Sequence, residues 1–227
     1  MFDNKYNMTR QESIFFAKKK WDENIYCGMK MENRNVTFPE TKTILDGINV
    51  GRVSLDDIQS ILNMRDAWKY VIQFIDKPLN LLCLCNINSL VSRNESLEWG
   101  VLRDGEIGIS GTNYKPDIPN NDKIHKEFND IINNNASDTE KALDIFTWGS
   151  RSQLFWDGNK RTSLLAANKL LVSCGHGLLT IKDVYMDRFN SLLATFYETN
   201  NNSDIKKFLY QHAIDGIERK KEYGLSR

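Results

Sequence analysis

The hydrophobic and polar positions of this 227-residue chain follow helical spacing over most of its length. Apolar residues recur at helical intervals over residues 13–24 and again from Leu55 to Ile75, with Ser54 as a cap and Pro78 beyond the end. Similar spacing predicts further helices over residues 79–93, 121–132, 138–152, 159–174, 181–198 and 203–212. The chain is therefore expected to be mainly α-helical.

One segment departs from helical spacing. Residues 100–112 alternate between apolar and polar positions around Asp104-Gly105, a pair that is typical of tight hairpin turns. An isolated hairpin is marginally stable in water, so we expect this one to dock on the helices. The sequence predicts a helical bundle with one β-hairpin.

Composition and charge restrict the choice of partners. Thirty basic and thirty acidic side chains cancel, so no overall field attracts nucleic acid or an anionic membrane. The apolar run around residues 79–85 is too short to cross a bilayer, and the N-terminus lacks a signal-peptide pattern. We expect a cytoplasmic protein that binds neither nucleic acid nor membrane.

The segment with chemical potential lies between two helical stretches. Asp157-Gly158-Asn159 forms a short polar loop, and Lys160 and Arg161 open the next helix. Cations at a helix N-terminus oppose the helix dipole, so they are unfavourable there unless an anion is bound nearby. A carboxylate beside that site could hold a magnesium ion that bridges phosphates. Alternatively, Asp157 simply caps the helix, and the residues alone leave both interpretations open.

Residues 153–162 resemble the Fic (Fido) motif, His-x-Phe-x-Asp/Glu-Gly-Asn-Gly/Lys-Arg. Residues 100–112 look like the Fic flap, and residues 32–47 are similar to the N-terminal segment of many Fic proteins. The resemblance covers roughly residues 25–215. The motif positions that match are Phe155, Asp157, Gly158, Asn159 and Arg161.

The resemblance implies a Fic-type helical bundle in three parts. These are an N-terminal helical segment at 1–50 that is a candidate for regulation, a Fic core at 51–215, and a flexible tail at 216–227. It also implies transfer of AMP or phosphate from ATP to a hydroxyl group of a target protein. An inhibitory or antitoxin-like partner would accompany such a reaction.

The resemblance assigns roles to single residues. Phe155 would be a buried anchor, and Asp157 would hold Mg²⁺. The nucleotide phosphates would be bound by Asp157, Gly158, Asn159, Lys160 and Arg161. The target would dock by strand addition on the flap at Ile107, Gly108 and Ile109.

Three departures from the motif change this expectation. Gln153 occupies the position of the catalytic histidine, and an amide cannot act as a general base. Lys160 replaces the commoner glycine, as in the Doc branch, which phosphorylates its target. Leu164 occupies the position of a second arginine. We therefore expect catalysis to be weakened or lost, with a non-catalytic regulatory module as the alternative.

Glu32 is a candidate inhibitory residue. Glu32-Asn33 matches the end of the inhibitory motif Ser/Thr-x-x-x-Glu-Gly/Asn, although Gly28 occupies the hydroxyl position. In the family this glutamate pairs with the second arginine, so Leu164 is expected to leave Glu32 without that partner. The alternative is a glutamate that caps a helix end or faces solvent.

Overall fold

The structure is a computed structural model that describes residues 1–218. Most of this range is helical, and one two-stranded antiparallel sheet pairs β1 (Leu178–Leu179) with β2 (Ile214–Asp215). A short 3-10 helix covers Asp183–Tyr185. The mainly α fold class is confirmed. The helices are α1 (Arg10–Met31), α2 (Phe38–Leu45), α3 (Leu55–Gln73), α4 (Leu81–Val91), α5 (Asn121–Asn133), α6 (Asp138–Ser152), α7 (Asn159–Cys174), α8 (Met186–Thr199) and α9 (Ser203–His212).

Side-chain caps begin the first six helices. Thr9 and Thr37 form capping boxes with glutamates three residues later, and Ser54 and Ser137 accept first-turn N–H groups of α3 and α6. Asparagines cap α4 and α5 in the same way. Helix α7 differs, because its N-cap is Gly158 in the left-handed region and no side chain caps it.

Helix α7 lies at the centre of the fold and packs against α1, α3, α4 and α6. Leu165 and Val172 on one face join a core with α1, α3 and α4. Leu164 and Leu171 on the other face join a second core with α6, α8 and α9. Both faces are buried, so the start of α7 is held rigidly.

Several element boundaries differ from the sequence expectation. Helix α1 extends beyond the predicted 13–24 at both ends: the Thr9 capping box begins it at Arg10, and it continues to Met31. Helix α2 was not predicted, and its own capping box at Thr37 accounts for it. Leu55 was expected in the buried stripe of α3 but is 80% exposed, as it occupies the first turn.

The predicted hairpin does not form as paired strands. Residues 100–112, all of them described, are an extended loop without strand assignment. Their backbone groups bond elsewhere: the Gly100 N–H donates to Asn88 (2.8 Å), and the Arg103 N–H donates to the Leu154 carbonyl (3.0 Å). These bonds to other parts of the fold replace cross-strand bonds. We call residues 100–112 the flap segment.

Two further expectations concern the ends and the surface. Residues 219–227 of the predicted tail lie outside the described range. Within residues 1–218 no helix combines the length and the apolar character needed to span a membrane.

Candidate functional site

A cleft of about 720 Å³ lies at the start of α7. Its walls come from the end of α1, the flap segment, the loop between α6 and α7, and one face of α8. We call the loop between α6 and α7, residues 153–158, the motif loop. The residues that line the cleft are Glu32, Asn33, Ile107, Gly108, Ile109, Ser110, Gly111, Thr112, Gln153, Trp156, Asp157, Asn159, Lys160, Asn190, Leu193, Ala194 and Tyr197.

Most of the residues proposed from the sequence meet in this cleft. They come from positions as far apart as Glu32 and Lys160, and the flap positions Ile107, Gly108 and Ile109 face the same space. Gly158 and Arg161 do not line it. Both lie behind its wall, so their contacts must be described separately.

The backbone conformation and the packing of the protein require glycine at position 158. Room for a ligand is not the reason. Its φ of +71° is unfavourable for residues with a Cβ atom. A Cβ here would overlap Ser92 Oγ and lie 2.8 Å from Val91 Cγ1. The Asp157 carbonyl accepts hydrogen bonds from Ser92 Oγ (2.8 Å) and Asn88 Nδ2 (2.9 Å). The end of α4 thus fixes the motif loop from behind.

Gln153 and Asn159 form an internal hydrogen-bond network. Gln153 caps α6 in a left-handed conformation (φ 48°), and its Nε2 donates to the Ser150 carbonyl at 2.7 Å. Its Oε1 accepts from Asn159 Nδ2 at 3.1 Å. Asn159 also bonds both backbone groups of Phe155, which is 2% exposed. The network holds the shape of the motif loop.

Arg161 is buried, at 1% exposure, among carboxylates. Its Nη1 donates to Glu95 Oε2 at 3.0 Å, and its Nη2 lies 3.6 Å from Asp157 Oδ1. Its Nε is 3.4 Å from Glu32 Oε1, an ion pair without hydrogen-bond alignment. Burial lowers the pKa of the Arg161 guanidinium, but these carboxylates outweigh it and raise the pKa, so Arg161 is charged.

Glu32 has partners that the sequence did not suggest. Leu164 was expected to deprive it of its usual arginine partner, but Glu32 Oε2 lies 3.2 Å from Lys160 Nζ, in addition to its contact with Arg161. Lys160 Nζ also donates to the Met31 carbonyl. Burial raises the pKa of the Glu32 carboxyl, but the charges of Lys160 and Arg161 prevail and hold the pKa below its ordinary value. Glu32 therefore compensates the positive charges of Lys160 and Arg161, which lie at the positive end of the α7 dipole.

Asp157 is the carboxylate most open to the cleft, with its side chain 38% exposed. It does not cap α7, and its Oδ1 accepts the Gly158 N–H at 2.6 Å. Within residues 1–218 no group of three or more His, Cys, Asp or Glu residues could enclose a metal ion. A single carboxylate nevertheless suits Mg²⁺, which keeps several waters and binds proteins through one or two carboxylates and substrate phosphates.

The sequence missed the α8 wall of the cleft. Asn190, Leu193 and Tyr197 face the cleft, and the Tyr197 hydroxyl is buried without a hydrogen bond of ordinary geometry within the described range. Burial raises the pKa of Tyr197, which makes it a donor rather than a base. Helical spacing predicted this helix but not which face would meet the motif loop.

The two histidines considered as substitutes for Gln153 lie elsewhere. His125 is exposed on α5, and His176 pairs with the Tyr6 carbonyl (2.8 Å) and Asp138 (3.4 Å). Neither lines the cleft. The third histidine, His212, contacts the rings of Tyr185 and Phe208. Within residues 1–218, therefore, no histidine lines the cleft beside Gln153 to act as a general base.

Comparison with known proteins supports the architecture. No family model matches the chain. The protein adenylyltransferase Fic of Drosophila yakuba is 24% identical over 202 residues, and that of Drosophila melanogaster is 23% identical over 201 residues. The alignments cover 85% of this chain but only 39% and 40% of those proteins, so the chain spans about two-fifths of their length.

Two solved structures are similar over most of the chain. A Fic domain containing signaling protein from Bacteroides thetaiotaomicron superposes with a TM-score of 0.72 at 17% identity, covering 90% of this chain and 86% of that one. Fic-1 from C. elegans gives a TM-score of 0.70 at 14% identity, covering 89% and 69%. The helical bundle around α7 has the Fic-domain fold.

Proposed function

We propose that this protein binds a magnesium nucleotide, with ATP as the ligand, in the cleft at the start of α7. The reaction class is transfer of AMP or phosphate to a hydroxyl group of a target protein, with catalysis weakened by Gln153. One observation carries the proposal. Lys160, Asp157 and the uncapped start of α7 meet in one cleft of about 720 Å³, a volume suited to a small-molecule ligand.

The phosphates would be bound by groups on or just behind the cleft wall. Lys160 Nζ and the first-turn N–H groups of α7 supply positive charge and donors at the surface. Arg161 lies behind them, and its positive charge would act on the phosphates more strongly once Glu32 moves away from it. Gly158 and Asn159 maintain the loop shape that places these groups. Tyr197 also lines the cleft, although its hydroxyl is buried.

Asp157 would hold Mg²⁺ together with the nucleotide phosphates. The bound ion would neutralise phosphate charge and orient the polyphosphate chain. Asp157 is suited to this because its carbonyl is fixed by Ser92 and Asn88 while its carboxylate remains accessible.

Gln153 limits the chemistry. Its amide cannot take a proton from an attacking hydroxyl, and removal of general-base assistance costs roughly 10² to 10⁴ in rate. Both polar ends of its side chain are already engaged, by Ser150 and Asn159. This engagement favours the alternative, a non-catalytic nucleotide-binding module that regulates or binds a partner protein.

We infer that Glu32 inhibits nucleotide binding. Its carboxylate occupies the position next to Lys160 where an anionic phosphate would compensate the same charge. A bound nucleotide would have to displace it, or an inhibitory or antitoxin-like partner could hold it in place. Ile107, Gly108 and Ile109 line the same cleft, where an acceptor protein would reach the nucleotide.

Calorimetry and labelling test this function. Mg-ATP should bind saturably to the full chain, and ATP labelled on either the α- or the γ-phosphate identifies which group is transferred to proteins in a lysate. Label from the α-position alone indicates AMP transfer, and label from the γ-position alone indicates phosphorylation. Binding without transfer supports the regulatory module, whereas absence of nucleotide binding refutes both functions. Gln153→His should raise transfer about 10²-fold or more if the remaining site is competent.

A further inference from the structure

Arg103 is a buried cation whose acceptors are backbone carbonyls. It is 1% exposed, and its Nε donates to the Gln153 carbonyl at 2.6 Å. Its Nη1 donates to the Gly105 carbonyl. Its Nη2 donates to the carbonyls of Pro116 (3.3 Å) and Asp117. One guanidinium therefore binds both ends of the loop that contains the flap segment. It also ties this loop to the motif loop.

Such an arrangement is costly unless every donor is used. Burial of an unpaired charge is strongly unfavourable, and carbonyl dipoles compensate it less well than a carboxylate would. Asp117 offers Arg103 its backbone carbonyl, whereas its carboxylate is 85% exposed and lies 3.3 Å from Lys123 Nζ. The planar fork of arginine reaches several carbonyls at fixed angles, which lysine cannot do.

The same loop lacks the usual source of rigidity. Residues 100–112 have no strand pairing, so cross-strand hydrogen bonds do not fix them. Besides the Arg103 guanidinium, the loop is anchored by the backbone N–H groups of Gly100 and Arg103, which bond Asn88 and Leu154. Gly105 also contacts the Trp156 ring, and Glu198 accepts from Thr112 and Asn113. Arg103 is the anchor that reaches both ends of the loop and Gln153.

We propose that Arg103 is a positioning residue that holds the flap segment over the cleft and sets its position relative to Gln153. Its bonds to Gly105, Pro116 and Asp117 fix the loop, and its bond to the Gln153 carbonyl ties that loop to the motif loop. The role in presenting an acceptor rests on the proposed function. The rigidity of the loop does not.

Backbone ¹⁵N relaxation of the full chain tests the proposal. In Arg103→Met, order parameters for residues 104–112 should fall from about 0.85 to below about 0.6, while those of α6 and α7 stay unchanged. Arg103→Lys should give intermediate values, because an ammonium can bond some of the carbonyls. Lys169→Met is the matched control, since Lys169 is a buried cation that donates to the Phe74 carbonyl away from the flap segment.

Each outcome either supports or overturns the proposed role of Arg103. Unchanged order parameters in Arg103→Met, or an equal loss in Lys169→Met, would overturn the proposal. If circular dichroism shows that Arg103→Met is unfolded, Arg103→Lys decides: a loss confined to residues 104–112 supports it, and no loss overturns it. Mg-ATP calorimetry on the wild-type chain runs in parallel. A failure to bind would refute the proposed function but leave the loop result standing.

Discussion

Replacing Glu32 by glutamine should strengthen nucleotide binding. The change keeps the size of the side chain and removes one negative charge that lies 3.2 Å from Lys160 Nζ and 3.4 Å from Arg161 Nε. Arg161 retains Glu95 at 3.0 Å and Asp157 at 3.6 Å, so its buried charge remains compensated. Lys160 is the cation that loses its carboxylate, and it is the one that lines the cleft.

The magnitude follows from these distances. Two unit charges about 3.3 Å apart interact by about 5 kcal/mol at an effective dielectric constant of about 20, before desolvation is considered. Hydrogen bonds to charged groups contribute about 1.5–3 kcal/mol net. A nucleotide that no longer has to displace Glu32 should gain a similar amount, which corresponds to roughly 10- to 150-fold in Kd.

Isothermal calorimetry with Mg-ATP measures this effect. Glu23→Gln is the matched control, because it makes the same charge change at a pair with Lys20 (2.9 Å) on α1, the helix that Glu32 terminates. Glu32→Gln should bind Mg-ATP at least about tenfold more tightly than wild type, and Glu23→Gln should match wild type within about twofold. Equal affinities for wild type and Glu32→Gln, or an equal gain in both variants, would refute inhibition by Glu32.

Three further predictions concern the same site. Gly158→Ala should destabilise the fold by about 1–3 kcal/mol, since φ is +71° and the new Cβ would collide with Ser92; urea denaturation measures this. Asp157→Asn should abolish the difference in ATP affinity between Mg²⁺ and EDTA conditions, because it removes the carboxylate that would hold the ion. Because the pKa of folded Glu32 is lowered, its stabilising contribution is present above its unfolded pKa of about 4.3 and is lost as pH falls through the folded value. Wild type should therefore lose more stability than Glu32→Gln between about pH 6 and about pH 3.

The outcomes that contradict these predictions are specific. Unchanged stability of Gly158→Ala would mean that α4 does not press on the motif loop. Magnesium dependence that persists in Asp157→Asn would place the ion on other groups. Parallel loss of stability in wild type and Glu32→Gln on acidification would remove the assigned role of the Glu32 ion pairs.

The sequence by itself determined the helices and the chemically distinctive loop. Helices α6, α7 and α9 begin and end where their patterns predict, since apolar spacing and capping act over three or four residues. The motif loop could be found from Asp157-Gly158-Asn159, because this signal too lies within a few neighbouring residues. Helix α2 was missed although its capping box was visible, because short helices carry little periodic signal.

Tertiary structure alone decided which side chains meet. Glu32 and Lys160 are 128 positions apart, and no local pattern shows that they pair. The flap segment was expected to be a hairpin from its alternation, but its strands do not pair, and its Gly100 and Arg103 N–H groups bond Asn88 and Leu154 instead. A charged side chain or a loop backbone takes whichever partners the packed helices bring near it, and those partners are set by long-range contacts.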